Sequence, residues 1–267
     1  MQPIVHYEEA VAKGAFHLGG KITNIVWAPD DVKQMISKHS LYLEEIPSGN
    51  LWFCRSEYRS RLFFQVDASG LSIGPESLPS LCNCVSEIIL SPALQEKKKE
   101  ERAVLEALGF VRESTALLMA CTKKDVSVPE DRLPGYRKAE SADLDSVRKL
   151  NDACFDRLTD AIPTEEELAD DIGDGRIWVI GNEAGTLFGS MLVQQYNRRR
   201  LIRHVAVSPE WRNKGFGTAL VTAAISDLQP GERAILWVKE ENAAAIRLYE
   251  RLGFQPQNRL MEIWTKR

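Results

Sequence analysis

The stretch from Val205 to Leu220 constrains the fold of this chain more than any other part of its sequence. An apolar strand, Leu201–Val207, ends at Ser208-Pro209, and the run 212–217 then leads into a helical pattern that begins at Thr218. A strand that passes through a short turn into a helix sets the free N–H groups of that helix beside the strand end. The segment predicts a sheet with a helix between its central strands.

The same segment has the chemistry of an anion-binding site. A helix N-terminus carries N–H groups without acceptors and a partial positive charge. Gly215 and Gly217 have no side chain to keep a phosphate from the backbone, and Arg212 and Lys214 add positive charge. The dinucleotide fingerprint is excluded, because Leu220 stands where its third glycine belongs. Taken alone, the segment is equally compatible with a glycine-rich helix start that binds nothing.

The second half of the chain alternates between strands and helices. The predicted elements are a strand at Tyr136–Glu140, helices at Ala142–Phe155 and from Thr164, a hairpin at Arg176–Val193, a strand at Leu201–Val207, a helix at Thr218–Leu228, a strand at Ala234–Val238, a helix at Asn242–Leu252 and a strand at Leu260–Trp264. Thr164 and Glu167 predict a capping box. This order indicates an α+β fold.

An internal repeat relates the two halves. Val104–Phe110 parallels Leu248–Phe254 at an interval of 144 residues, close to half of the 267-residue chain, and an apolar strand follows each. The polar, proline-containing segment 126–134 predicts a linker between domains at residues 1–125 and 135–267. Because no Arg-x-x-Gly-x-Gly precedes Gly135, we interpret the first domain as a degenerate copy without a cofactor motif.

Two runs together resemble the cofactor motifs of the GNAT superfamily of acyl-CoA-dependent N-acyltransferases. They are the Arg-Asn-Lys-Gly-Phe-Gly run at 212–217 and the run from Asn242 to Tyr249-Glu250-Arg251-Leu252-Gly253-Phe254. The resemblance covers Tyr136 to Trp264, and both motifs match in order and spacing. It implies two tandem GNAT-like domains, each a mixed, mostly antiparallel sheet flanked by helices, of which the second is catalytic.

The resemblance also implies a cosubstrate and its binding residues. Acetyl-CoA would lie between the Leu201–Val207 and Ala234–Val238 strands and would give its acetyl group to an amine that attacks directly. Backbone groups of the strand would polarise the thioester carbonyl, and the loop would hold the pyrophosphate. The residues implied for binding are Val205, Ala206, Val207, Arg212, Asn213, Lys214, Gly215, Phe216, Gly217, Thr218 and Asn242.

Tyr249 is the catalytic residue that the resemblance implies, as the general acid that protonates the leaving CoA thiolate. Two alternatives remain open. Tyr249 could be a packed aromatic residue on an amphipathic helix, and Asn242 could be only the N-cap of that helix. The general base is not identified by the sequence, and the candidates are His204, which could instead sit satisfied in the core, Glu240, Glu241 or a water chain.

Composition limits the partners. The net charge of −4 predicts no general attraction to nucleic acid or to anionic membranes. Five cysteines without metal-site spacing, and an N-terminus without a signal-peptide pattern, predict reduced thiols, no metal site and a cytoplasmic protein. We expect a small-molecule, amino-acid or peptide amine as acceptor, and a monomer or homodimer. A longer-chain acyltransferase and a catalytically silent CoA-binding module are the alternatives.

Overall fold

The computed structural model describes residues 1–16, 21–67, 79–93, 98–122 and 136–267, so the predicted linker at 126–134 lies outside the described residues. The chain divides into two compact units. The first contains Met1–Thr115 and Leu260–Arg267, and the second contains Ala116–Arg259. The segment Ala116–Thr122, which lies within the predicted first domain, belongs to the second unit. The segment Leu260–Arg267, which lies within the predicted second domain, belongs to the first unit.

Both halves of the described chain contain strands and helices. The first half contains β1 (Gln2–Pro3), α1 (Tyr7–Ala12), β2 (Ile22–Thr23), α2 (Pro29–Ser37), β3 (Leu41–Ile46), β4 (Gly49–Arg55), β5 (Ser60–Val66), β6 (Cys84–Leu90), α3 (Lys99–Ala107) and β7 (Val111–Thr122). The second half contains β8 (Tyr136–Lys138), α4 (Leu144–Cys154), α5 (Glu165–Gly173), β9 (Ile177–Gly181), β10 (Leu187–Tyr196), β11 (Arg199–Val207), α6 (Phe216–Ser226), β12 (Arg233–Lys239), α7 (Ala243–Arg251) and β13 (Gln255–Lys266).

The first unit is built on a sheet in the order β1-β3-β4-β5-β6, completed by the Leu260–Lys266 part of β13. Its neighbours are antiparallel except β5 and β6, which are parallel. Large aromatic side chains fill its core, and Trp52, Phe53 and Phe64 are fully buried. Strand β3 was not predicted, because two glutamates interrupt its apolar alternation.

The second unit has a sheet in the order β12-β11-β10-β9-β8, and the Ala116–Thr122 part of β7 pairs with β12. Its neighbours are antiparallel except β11 and β12, which are parallel. Helix α6 buries Leu220, Val221 and Ile225 in the core of this unit. The predicted capping box is confirmed, since the backbone N–H groups of Thr164 and Glu167 each bond to the side chain of the other residue.

The two units repeat the same construction. Helices α3 (Lys99–Ala107) and α7 (Ala243–Arg251) are both nine residues long and lie 144 residues apart. The strand segments that follow them, Ala116–Thr122 and Leu260–Lys266, keep the same interval. The internal repeat predicted from the sequence is therefore a structural repeat. Among the helices of the described residues, none combines the length and the apolar character that a membrane-spanning helix requires.

Candidate active site

Strands β11 and β12 of the second unit run side by side only at their starts. Three residue pairs join them: Arg199 with Arg233, Arg200 with Ala234 and Leu201 with Ile235. On its other edge, β11 stays paired with β10 as far as Val207, and β12 stays paired with β7 as far as Lys239. The facing edges beyond Leu201 and Ile235 therefore separate and leave a V-shaped gap between two parallel strands.

The backbone of Val207 is turned toward this gap. The next N–H group, that of Ser208, donates to Phe188 O of β10 at 3.0 Å, and backbone groups of successive strand residues point to opposite edges. Val207 O instead accepts from Arg212 Nε at 3.3 Å. Ala206 faces β10, because a Cβ placed on Gly189 would lie 2.7 Å from Ala206 O. Of the predicted strand residues, Val207 thus presents its N–H group to the gap, and Ala206 supports the strand.

A β-bulge changes the direction of β11 beside Val205. The register with β10 shifts between the pairs Ser190 with Ala206 and Leu192 with Arg203, so two residues of β11 lie opposite one of β10. One of them, His204, has a left-handed φ of 47°. Such a bulge bends a strand and redirects its groups, and bulges are common beside active sites.

The His204 ring is held against the segment that follows α4. Its Nε2 lies 2.9 Å from Asp160 O, and its ring meets that of Phe155 edge-on at 5.4 Å. A carbonyl oxygen can only accept, so Nε2 carries the proton in this contact. His204 is partly buried, and its Nε2 proton is engaged by a backbone carbonyl.

Helix α6 begins at Phe216, two residues before the predicted start at Thr218. Its N-cap is Gly215, which has no side chain to cap the helix, and the first helical hydrogen bond runs from Ala219 N to Gly215 O at 2.9 Å. The N–H groups of Phe216, Gly217 and Thr218 therefore precede that bond and have no acceptor within the helix. A helix start of this kind offers unpaired N–H donors to a ligand.

The two glycines of the loop serve different purposes. Gly215 has a φ of 86°, which a residue with a side chain adopts only with strain, although a Cβ there would meet nothing within 4 Å. Gly217 permits a close approach, since a Cβ there would lie 3.3 Å from Leu248 Cδ1 and 3.6 Å from Val207 Cγ2. The helix start thus lies directly beside the end of β11 and against α7.

An aromatic cluster that the sequence reading missed supports the loop. The Phe188 ring lies 4.1 Å from that of Trp211 and 4.9 Å from that of Phe216, between ring centroids. Lys214 Nζ lies 4.2 Å from the centre of the Trp211 ring, a favourable cation–π distance. The aromatic residues that flank the loop in sequence were the available signal. Arg212, Asn213 and Lys214 are exposed.

Helix α7 brings the other two predicted residues to this region. Asn242 is its N-cap, and Asn242 Oδ1 accepts from Ala245 N at 3.1 Å. Asn242 therefore caps the helix, and its amide Nδ2 remains as a donor on an exposed residue, so capping leaves a binding role open. Tyr249 is buried in the core of the unit at 8% exposure, with its ring 5.7 Å from that of Phe254. Burial raises the pKa of Tyr249 to about 12, so the phenol keeps its proton at neutral pH.

Comparison with known sequences identifies the second unit. A sequence model of the acetyltransferase (GNAT) family matches residues 144–254. An uncharacterized N-acetyltransferase of Methanocaldococcus jannaschii is 39% identical over 67 residues, which are 24% of this chain and 29% of that protein. The ribosomal protein bS18 alanine N-acetyltransferase of Escherichia coli is 45% identical over 53 residues, which are 19% of this chain and 36% of that protein. The chain spans about a third of the length of these curated relatives.

Comparison with solved structures covers both units. A tandem GNAT protein from the clavulanic acid biosynthesis pathway aligns with 99% of this chain and 97% of its own, with a TM-score of 0.60 and 16% identity. At that identity the likeness concerns the fold alone, and it confirms the predicted fold of two tandem GNAT-like domains. The family match and the repeated architecture agree: residues 144–254 match the GNAT family of acetyltransferases, and the chain has the fold of two tandem GNAT-like domains.

Proposed function

We propose that the second unit transfers an acetyl group from acetyl-CoA to a primary amine. The observation that carries this proposal is the gap between β11 and β12, with the open N-terminus of α6 beside it. A strand edge supplies N–H and C=O groups for an extended amide-containing chain, and a helix start supplies donors for a phosphate. The pantetheine and pyrophosphate parts of CoA need these two surfaces next to each other.

The binding roles follow from the surroundings of each residue. We assign the N–H groups of Val205 and Val207 to the pantetheine and the thioester carbonyl, with Ala206 holding the strand in register. The loop formed by Arg212, Asn213, Lys214, Gly215, Phe216, Gly217 and Thr218 would hold the pyrophosphate, mainly through backbone N–H groups, with two side-chain cations beside it. Asn242 Nδ2 would donate to the pantetheine arm. Acetyl-CoA, when bound, supplies an acyl group that is already activated as a thioester.

Tyr249 is our proposed proton donor. The acceptor nitrogen, once deprotonated, attacks the thioester carbonyl, and the C–S bond breaks. The sulfur takes the phenol proton of Tyr249, and the second proton lost from the nitrogen restores the phenol. The residue enters each cycle protonated, because the pKa of Tyr249 lies well above neutral pH. No covalent enzyme intermediate is required.

Two alternatives keep the same fold. A longer-chain acyltransferase would use the same gap with a wider acyl pocket, and only acyl-chain preference separates it from an acetyltransferase. A catalytically silent CoA-binding module is disfavoured by the retained Tyr249 and Asn242. The Escherichia coli relative is named for an alanine of a ribosomal protein, so a peptide amine belongs among the acceptors to test.

We also propose that the first unit binds no acyl-CoA, because its own chain fills the corresponding gap. Strands β5 and β6 are parallel and pair only at Ser60 with Cys84 and Arg61 with Val85, much as β11 and β12 do. Since β4 covers one edge of β5 along its whole length, both β6 and β2 must use the other edge. Strand β2 pairs there at Ile22 with Val66 and Thr23 with Gln65.

Side chains complete this filling. Asn24 is buried at 6% exposure, and its Nδ2 donates to Ser86 Oγ of β6 at 2.9 Å. The Phe64 N–H of β5 donates to Asn24 Oδ1 at 2.8 Å, and Thr23 Oγ1 donates to Phe64 O at 2.7 Å. The backbone groups of β5 that a pantetheine would need are therefore already bonded. In α3, Leu105 stands where α7 has Tyr249.

The test of the main proposal is a thermal-shift titration of the whole chain with acetyl-CoA, CoA and a longer acyl-CoA. A ligand at 100 times its Kd stabilises the native state by about 2.7 kcal/mol. A saturable shift is expected, with one ligand bound per chain by calorimetry, and the ranking of acyl chains separates acetyl from longer-chain transfer. No shift at millimolar ligand would overturn the proposal, and two ligands per chain would overturn the filled gap of the first unit.

The proposal extends to the location and partners of the protein. The five cysteines, all within the described residues, form no disulfide, which favours a reducing compartment, and we propose a cytoplasmic location. The net charge of −4 gives no general attraction to nucleic acid or to an anionic membrane. We propose a monomer or a homodimer, and a small-molecule or peptide amine as the acceptor.

A further inference from the structure

One residue of the segment between α4 and α5 contacts both separated strands of the second unit. Asp160 O accepts from His204 Nε2 of β11 at 2.9 Å, and Asp160 Oδ1 pairs with Lys239 Nζ of β12 at 2.7 Å. Both His204 and Lys239 lie beyond Leu201 and Ile235, the last residues that pair β11 with β12. Asp160 therefore spans the gap, next to the Val205 backbone that we assign to the thioester.

The position of Asp160 is set locally and does not depend on Lys239. Asp156 Oδ1 accepts from Leu158 N at 3.0 Å and from Thr159 N at 2.9 Å. Asp160 Oδ2 in turn accepts from Asp156 N at 2.8 Å. A side chain that bonds to the backbone a few residues away stabilises a tight turn. The turn therefore holds Thr159 and Asp160 in place, and Lys239 is an added occupant.

Two side-chain oxygens of this turn contact the primary ammonium group of Lys239. Lys239 Nζ lies 2.7 Å from Asp160 Oδ1 and 2.9 Å from Thr159 Oγ1. The Lys239 side chain is 25% exposed and that of Asp160 is 20% exposed, so solvent reaches the pair. Hydrogen bonds of this kind, between charged partners, are among the stronger ones in proteins. An alkylamine acceptor at neutral pH carries the same –NH₃⁺ group as a lysine side chain.

We infer that Asp160 and Thr159 receive the ammonium group of the acceptor, and that Lys239 occupies their oxygens until the acceptor arrives. The inference rests on the proposed function and narrows its substrate class to positively charged primary alkylamines. An incoming ammonium exchanges with Lys239 Nζ at the carboxylate and is thereby held beside the thioester, where it loses one proton to solvent before its nitrogen attacks. Asp160 is then a residue that determines specificity, and Lys239 is an internal competitor.

The experiment compares two substitutions with opposite expected effects in the full-length protein. The acceptors are n-butylamine, 1,5-diaminopentane and an alanine-terminated tripeptide, with aniline as an amine that is uncharged at neutral pH. Asp160→Asn removes the receiving charge, so the KM for a charged acceptor should rise about tenfold or more. Lys239→Met removes the competitor and leaves the carboxylate in place, so that KM should fall by a few-fold. The KM for acetyl-CoA should not change in either variant.

Controls separate this role from a structural one. Asp152→Asn removes an α4 carboxylate that pairs with Arg157 and should leave the KM for the acceptor unchanged. Aniline turnover should not respond to Asp160→Asn, because no ammonium is bound. If both gap variants raise the KM for the acceptor, Asp160 and Lys239 only fasten the segment and the inference is wrong. It is also wrong if the wild-type protein acetylates none of the charged amines although acetyl-CoA gives a saturable thermal shift. Absence of that shift would instead contradict the proposed function.

Discussion

Tyr249 and Leu105 occupy the seventh position of two helices that are nine residues long and 144 residues apart. Both side chains are buried, at 8% and 0% exposure, so the position belongs to the core in each unit. In the second unit it carries a phenol, and in the first a hydrocarbon of similar depth. The chain thus contains the same packing position with and without the proposed proton donor.

Replacing Tyr249 by phenylalanine separates these two contributions. The ring and its contact with Phe254 remain, while the proton donor is lost. We expect kcat to fall about 100-fold, in the range typical of a general acid, with little change in the KM for acetyl-CoA. Tyr196→Phe, at an exposed tyrosine of β10, is the matched control. Steady-state kinetics decide the matter, and unchanged turnover would remove Tyr249 from the mechanism.

Substitutions at the two loop glycines should affect different properties of the protein. Gly215→Ala forces a side chain into a left-handed conformation and should cost about 1 kcal/mol of stability. Gly217→Val would press on Leu248 and push the α6 start away from β11, so the Kd for acetyl-CoA should rise at least about tenfold. Gly173→Ala, at a helix position with open space around it, should change neither quantity adversely. Calorimetric titration of the three variants measures the Kd, and denaturant unfolding measures their stability. Equal affinities would argue against the loop as the pyrophosphate site.

Asn24→Ala tests the filled gap of the first unit. The substitution leaves the Phe64 N–H and Ser86 Oγ without one of their partners, so the free energy of unfolding should fall by about 1–3 kcal/mol. Hydrogen exchange at the Phe64 amide should accelerate. The Kd for acetyl-CoA should stay unchanged, because the second unit holds the ligand. A Phe64 amide that is unprotected in the wild type and gains protection with acetyl-CoA would show that this gap binds the ligand instead.

Acid dependence of stability should come partly from Asp143. Its carboxylate accepts from Arg137 Nη1 at 2.6 Å and Nη2 at 2.9 Å, and these bonds lower the pKa of Asp143. A carboxyl whose pKa is lowered by folding stabilises the native state above the unfolded pKa, and that contribution disappears as pH falls through the folded value. Asp143→Asn should therefore destabilise at neutral pH by about 1–3 kcal/mol. The difference should shrink below about pH 4, which denaturation at several pH values measures.

Local sequence patterns were sufficient to predict individual helices and strands, but not the contacts between residues far apart in the chain. The Thr164–Glu167 capping box depends on residues three apart, so it was predictable. The α6 start was placed too late, because Gly215-Phe216-Gly217 reads as loop although Phe216 and Gly217 already belong to the helix. Nothing in the sequence linked Asp160 to Lys239, which lie 79 residues apart in the chain.

The choice of partner strand was equally hidden. The sequence predicts an apolar strand after the first copy of the repeat, at Ala116–Cys121. Its apolar pattern would be the same in either sheet, so the pattern does not identify the strand with which it pairs. The repeat could be predicted because similar residues recur in the same order at a fixed interval. The contribution of Ala116–Thr122 to the second unit, and of Leu260–Lys266 to the first, depends on pairing that only the folded chain contains.

This exchange of strands sets an order for biosynthesis. When Arg233–Lys239 leaves the ribosome, its antiparallel neighbour Ala116–Thr122 has long been made. Strand β6, in contrast, has no antiparallel neighbour on its β13 side until Leu260–Lys266 has been translated. The half that is synthesised first is therefore the half whose sheet is completed last, and a stop codon after Arg259 would leave every residue of the second unit in place while it removed a strand from the first.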